Sequence, residues 1–129
     1  MSGPVANPID GQAMLLAAAK ASVGPQLLPD LVDRVQDHLC SREAEYRRQY
    51  ELAYEDDSAC VFFVEAGHWT TLADEVGLER RERDAVRRAH TEHLRRIGKD
   101  TGRREEFETA LDIRECVVVG KTDESDGSD

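Results

Sequence analysis

The sequence predicts a mainly α-helical protein, a compact bundle of about five helices that includes a helix-turn-helix-like segment. Three observations predict it. Leu31, Val32, Val35, Leu39, Tyr46, Tyr50 and Ala53 recur at helical spacing over the longest patterned stretch of the chain. Ala85, Val86, Ala89, His93, Leu94 and Ile97 form a second such stripe. Only two short runs, Ala59–Val64 and Cys116–Val119, carry the Val- and Phe-rich chemistry of strands, and a minor two-stranded ribbon is the alternative for them.

In chain order, residues 1–10 read as a flexible leader broken by Gly3, Pro4 and Pro8. Asp10 is suited to cap a short helix through Ala21, built on Met14, Leu15, Ala18 and Ala19 and ended by Gly24-Pro25. Pro29 and Asp30 open the long helix, which the spacing carries to about Tyr54. Glu55–Ser58 is a polar break. Ala59–Val64 fits a strand or a short buried helix capped by Ser58 and ended at Gly67; its helical surroundings favour helix, as they do for Cys116–Val119. A helix then opens at Thr70–Thr71, with Thr71 and Asp74 in capping-box-like spacing, and breaks at Gly77. The basic helix covers Arg80–Ile97, with Gly98 and Gly102 marking its end. A last helix starts near Arg103 and takes in Phe107, Ala110 and Leu111 on the way towards Val118. Residues 11–120 thus make one helical domain, and 121–129 (KTDESDGSD) read as a disordered acidic tail.

Charge is distributed unevenly. The chain of 129 residues has a formal net charge of −10, yet Glu79–Arg104 holds ten Arg/Lys against five Asp/Glu. Of seventeen basic residues only Lys20, Lys99 and Lys121 are lysines. This acidic, Lys-poor balance resembles that of proteins from salt-accumulating halophiles, which makes the overall acidity a matter of habitat and the basic helix the anomaly. Cys40, Cys60 and Cys116 are odd in number and lack a CxxC pair, which suggests neither a disulfide framework nor a zinc ribbon. The apolar run Met14–Ala19 is too short to span a bilayer and lacks a preceding positive segment, so a cytoplasmic protein with no membrane partner is expected.

Thr71–Arg88 (TLADEVGLERRERDAVRR) has the parts of a helix-turn-helix. Ala73 is small where two helices would cross, Gly77 permits a sharp turn, and Leu72, Val76, Leu78 and Val86 are anchors. Arg83 departs from the pattern, because an apolar anchor is expected three residues before Val86. The candidate nucleic-acid- or partner-binding residues are Arg80, Arg81, Arg83, Arg87, Arg88, Arg95, Arg96, Lys99, Arg103 and Arg104. Interleaved Glu79, Glu82, Asp84 and Glu92 neutralise part of that charge, Asp84 and Arg88 having salt-bridge spacing. His90 and His93 share a helix face at a spacing that suits a metal, but a third ligand from His68, Cys60 or Cys40 needs tertiary coincidence, so no metal or cofactor is expected. Glu65 and His68 beside Trp69 are candidates to line a pocket. Without a nucleophile elbow or phosphate loop, no catalytic site of the protein's own is expected.

The segments PDLVDRVQDHL (Pro29–Leu39), EAGHWTTLADEVGL (Glu65–Leu78) and REEFETALDIRECVVVG (Arg104–Gly120) resemble a small haloarchaeal protein family associated with the epsilon subunit of haloarchaeal DNA-directed RNA polymerase. The resemblance covers most of residues 11–120 and implies an accessory role in transcription, with polymerase chemistry in the large subunits. The expected function is therefore binding of RNA polymerase subunits or nucleic acid through the Arg80–Arg104 face. The alternatives are a free-standing helix-turn-helix regulator and a metal-dependent or small-molecule enzyme around His68, His90 and His93.

Overall fold

The computed structural model describes residues 8–21 and 23–121, so the expectations for 1–7 and 122–129 lie outside the described residues. These form α1 (Gly11–Ala21), α2 (Leu28–Leu39), α3 (Glu43–Gln49), β1 (Glu51–Glu55), β2 (Ala59–Glu65), α4 (His68–Val76), α5 (Arg80–Thr101), α6 (Arg104–Leu111) and β3 (Arg114–Gly120), with a 3-10 turn at Cys40–Arg42. The fold is mainly helical with a minor sheet. That sheet has three antiparallel strands in the order β1-β2-β3, one more than the expected ribbon.

Both ambiguous apolar runs are strands, against the preference for helix. Val61, Phe62, Phe63 and Val64 pair with Val118, Val117, Cys116 and Glu115. β-Branched and aromatic side chains pack well on a pleated surface, and Cys116–Val119 and Ala59–Val64 are buried throughout. The third strand comes out of the expected long helix. Its stripe is interrupted at Arg42–Glu43, where the chain tightens into the 3-10 turn, and Tyr50 is already extended at φ −129°, ψ 158°. Glu51–Glu55 then pairs with β2, its register shifting between Leu52 and Tyr54. Tertiary pairing here overrides a helical pattern that Tyr50 and Ala53 continue from Tyr46 of α3 only by coincidence of spacing. The Glu55–Ser58 break includes the hairpin turn, where Asp56 Oδ1 accepts the N–H groups of Ser58 and Ala59 at 2.8 and 3.0 Å.

Helix boundaries follow local chemistry. Asp10 caps α1, its Oδ2 accepting from Gln12 and Ala13 N–H at 2.9 and 3.1 Å. α4 begins at His68 after Gly67, earlier than the Thr71–Asp74 spacing suggests, and ends at Gly77 with φ 85°. α5 opens with a capping box formed by Glu79 and Glu82 and runs through Gly98 to Gly102, which ends it at φ 75°. Gly98 is internal because a side chain there would meet Phe107 and the Arg104 backbone, the close approach that seats α6. α6 stops at Leu111, short of the expected reach towards Val118. Within the expected leader, Ile9 is buried in the core. Lys121, assigned to the tail, binds Glu55, Nζ to Oε2 at 2.7 Å. Among the described residues no helix is long and apolar enough to cross a membrane.

α5 is the central helix. It contacts α1, α2, α4, α6 and β3 and buries Ala85, Val86, Ala89, His90 and Leu94. The edge of β3 away from β2 faces this helical layer and is closed by side chains. Gln36 Nε2 donates to Val118 O at 2.7 Å, and its Oε1 accepts from Gly120 N–H at 2.9 Å. His90 Nδ1 accepts from Val118 N–H at 2.9 Å, and Trp69 Nε1 donates to Cys116 O at 2.9 Å. Losing the Gln36 partners strands two buried backbone groups. Gln36→Leu is therefore expected to destabilise the fold by about 2–4 kcal/mol, read by urea denaturation, although it adds apolar surface.

Candidate partner-binding surface

The capping box and the inward stripe of α5 fix which side chains face outward. Four of the ten predicted cations are occupied by nearby groups. Arg83 is half-buried and pairs with Asp84, Nη2 to Oδ1 at 3.2 Å, so a held cation stands where an apolar anchor is expected; this pairing also replaces the expected Asp84–Arg88 one. Arg95 reaches Glu108 at 2.9 Å and Glu92 at 3.1 Å, and Arg96 holds Asp10 at 3.0 Å. Arg103 binds Glu106 at 2.7 Å and lies 4.6 Å over the Phe107 ring. Arg80, Arg81, Arg87, Arg88, Lys99 and Arg104 have no ion pair among the described residues. Of these six, Arg81, Arg88 and Lys99 share one line along α5, with Arg80 beside them and Arg104 at the start of α6, while Arg87 lies about 100° around the helix from Arg88.

α1 flanks that face. Asp10 at its start reaches Arg96 and His93, and Lys20 and Ala21 at its end share an open groove of about 670 Å³ with Glu79, Arg80, Arg81, Asp84 and Arg88. Lys20 also binds the buried Glu92 at 3.6 Å. A second open trough, about 570 Å³, lies between α1 and the α5–α6 corner, lined by Leu15, Leu16, Ala19, Arg95, Arg96, Lys99 and Arg104. Sequence reasoning missed both Lys20 and this trough. The signal was present: Met14–Ala19 is apolar on every side, so some of it had to face outward.

The other residues named in the Thr71–Arg88 segment divide between core and turn. Leu72, Ala73, Leu78 and Val86 are buried, Val76 is half-buried, and Gly77 turns the chain.

The histidines are not brought together. His90 is wholly buried edge-on to Trp69, with Nδ1 occupied by Val118 N–H, and His93 Nδ1 accepts from Asp10 N–H at 3.0 Å. Burial lowers both pKa values, that of His90 to about 3, so both rings are neutral. His68 Nε2 lies 2.7 Å from the Tyr46 hydroxyl in a separate cleft of about 180 Å³ lined also by Glu45, Tyr50, Glu65 and Glu75. Burial raises the Tyr46 pKa and lowers that of His68, which leaves a protonated phenol donating to a neutral imidazole. The expected Glu65–His68 pocket thus exists, but Trp69 turns into the core instead. Its volume falls below the roughly 300–1,000 Å³ typical of small-molecule sites. Cys60 and Cys116 are buried free thiols whose pKa values burial pushes up to about 12, which makes them poor nucleophiles. Among the described residues no group of three or more His, Cys, Asp and Glu is placed to hold a metal ion.

A family model described as "Domain of unknown function (DUF8048)" matches residues 7–121. No curated protein and no solved structure matches the chain.

His90 makes stability depend on pH. Its folded pKa lies below its ordinary 6.5, so below pH 6.5 the unfolded chain takes up a proton that the folded chain refuses. Stability is full above pH 6.5 and falls towards pH 3, by up to about 1.4 kcal/mol per pH unit from this group. His90→Gln should flatten the profile of unfolding free energy over that window; an unchanged slope would show that other groups set it.

Proposed function

We propose that the chain, which belongs to the DUF8048 family, is a cytoplasmic accessory protein of transcription that works by binding, docking on RNA polymerase through the outer face of α5. One observation carries the reading. In a chain of net charge −10, Arg80, Arg81, Arg88, Lys99 and Arg104 line the two grooves beside α1 without ion pairs among the described residues. Such a face favours an anionic partner surface and fixes its orientation. The resemblance of Pro29–Leu39, Glu65–Leu78 and Arg104–Gly120 to the haloarchaeal polymerase-associated family supports polymerase as that partner.

Width favours a protein surface over base reading. The major groove is about 12 Å wide and admits one helix of about 10–12 Å diameter. α1 packs along α5, and two helices with axes about 8–10 Å apart present roughly 20 Å. The α4–Gly77–α5 turn then serves as a helix-turn-helix-like scaffold, with its second helix held in the body of the domain.

The tagged protein should retain the large polymerase subunits through salt washes. Arg88→Glu with Arg81→Glu should lower that retention about tenfold or more, since like charges would then oppose the partner. Failure of the unmodified protein to retain polymerase would remove this reading, and selective binding of promoter DNA would favour a free-standing regulator.

A further inference from the structure

We propose that the trough between α1, α5 and α6 receives an acidic amphipathic helix of a partner protein; this deepens the binding reading and rests on it. The starting observation is an inversion in α1. Its alanines at 13, 17 and 18 are buried, while Leu15 and Leu16 are 57% and 43% exposed. A surface helix ordinarily turns its large apolar side chains inward. Small residues on α1, together with the buried Ala85 and Ala89 of α5, suit close packing of the two helices. The leucines are left facing the trough.

The two walls differ in chemistry. The α1 wall offers Leu15, Leu16 and Ala19 and carries no charge, while the opposite wall offers Lys99 and Arg104, neither of which has an ion pair among the described residues. Arg95 lies between them, held by Glu92 and Glu108. A complementary ligand is apolar along one edge and anionic along the other. Nucleic acid would leave the leucines unused, and a trough open along its length does not surround an acyl chain as a lipid site must. A second copy docked α1 against α1 would bring no carboxylate for Lys99 and Arg104. Leu15, Leu16 and Ala19 run along one turn of the α1 wall, which gives a helix laid in the trough an apolar strip for its own anchors at i, i+3/i+4 and i+7.

The test is selection from a displayed library of helical peptides on the immobilised full chain. Enriched peptides should carry Leu, Ile or Phe at i, i+3/i+4, i+7 with Asp or Glu along one flank. Their affinity should fall at least tenfold with Leu16→Asp and with Lys99→Glu plus Arg104→Glu, and hold with Arg48→Glu on a remote exposed surface. Leu16 is exposed, so Leu16→Asp should melt like the unmodified chain. Each of four results overturns the proposal: no enrichment; neutral or basic winners; affinity indifferent to Leu16→Asp; or a dimer that Leu16→Asp dissociates. Tighter binding of anionic vesicles or single-stranded RNA at the trough does so too. Enrichment without polymerase retention keeps the trough and discards polymerase as the partner. Retention without enrichment keeps the accessory reading and discards the trough.

Discussion

The structure depends on how the inner edge of β3 is closed. A three-stranded sheet has two edges, and this one faces the helices, where each unpaired N–H or C=O costs about 1–3 kcal/mol. Gln36, His90 and Trp69 meet those groups from α2, α5 and α4. One strand therefore dictates the placement of three helices. His90 can do this only as a neutral ring, and its complete burial keeps it neutral.

The seal also orients the outer surface. At about 100° per residue, Arg81, Arg88 and Lys99 stand about 160–180° around α5 from His90. Directing His90 to Val118 thus turns those cations to solvent. The family match covers residues 7–121, the whole sealed unit together with its cationic face. The chain's acidity and its basic helix are in this sense separate matters: carboxylates at 10, 84, 92, 106 and 108 occupy some cations, and the geometry of α5 leaves the others available.

Legibility in the sequence tracked how local each signal was. α5 was readable because its stripe, its glycine stop and its charge all lie within one segment, and the turn at Gly77 was readable for the same reason. β1 was not, because Tyr46, Tyr50 and Ala53 keep helical phase and only pairing with β2 decides otherwise. β2 and β3 are too short for periodicity to separate strand from helix, and their partners are distant in sequence. The α1 trough was half legible, because Met14–Ala19 is apolar all round: some of it had to face outward, but no pattern says that alanines go in and leucines out. Gln36 carried a readable sign, a polar residue within the stripe of Leu31, Val32, Val35 and Leu39, but its role required the β3 edge to be known.

Native-state hydrogen exchange at the Val118 and Gly120 amides reads how tightly this edge is closed. If Gln36 and His90 seal the edge, both amides exchange only through global unfolding, and their opening free energies equal that of the whole domain. Opening of either amide several kcal/mol below the global value would mean that the edge breathes independently, and the account of how α5 is held would be wrong.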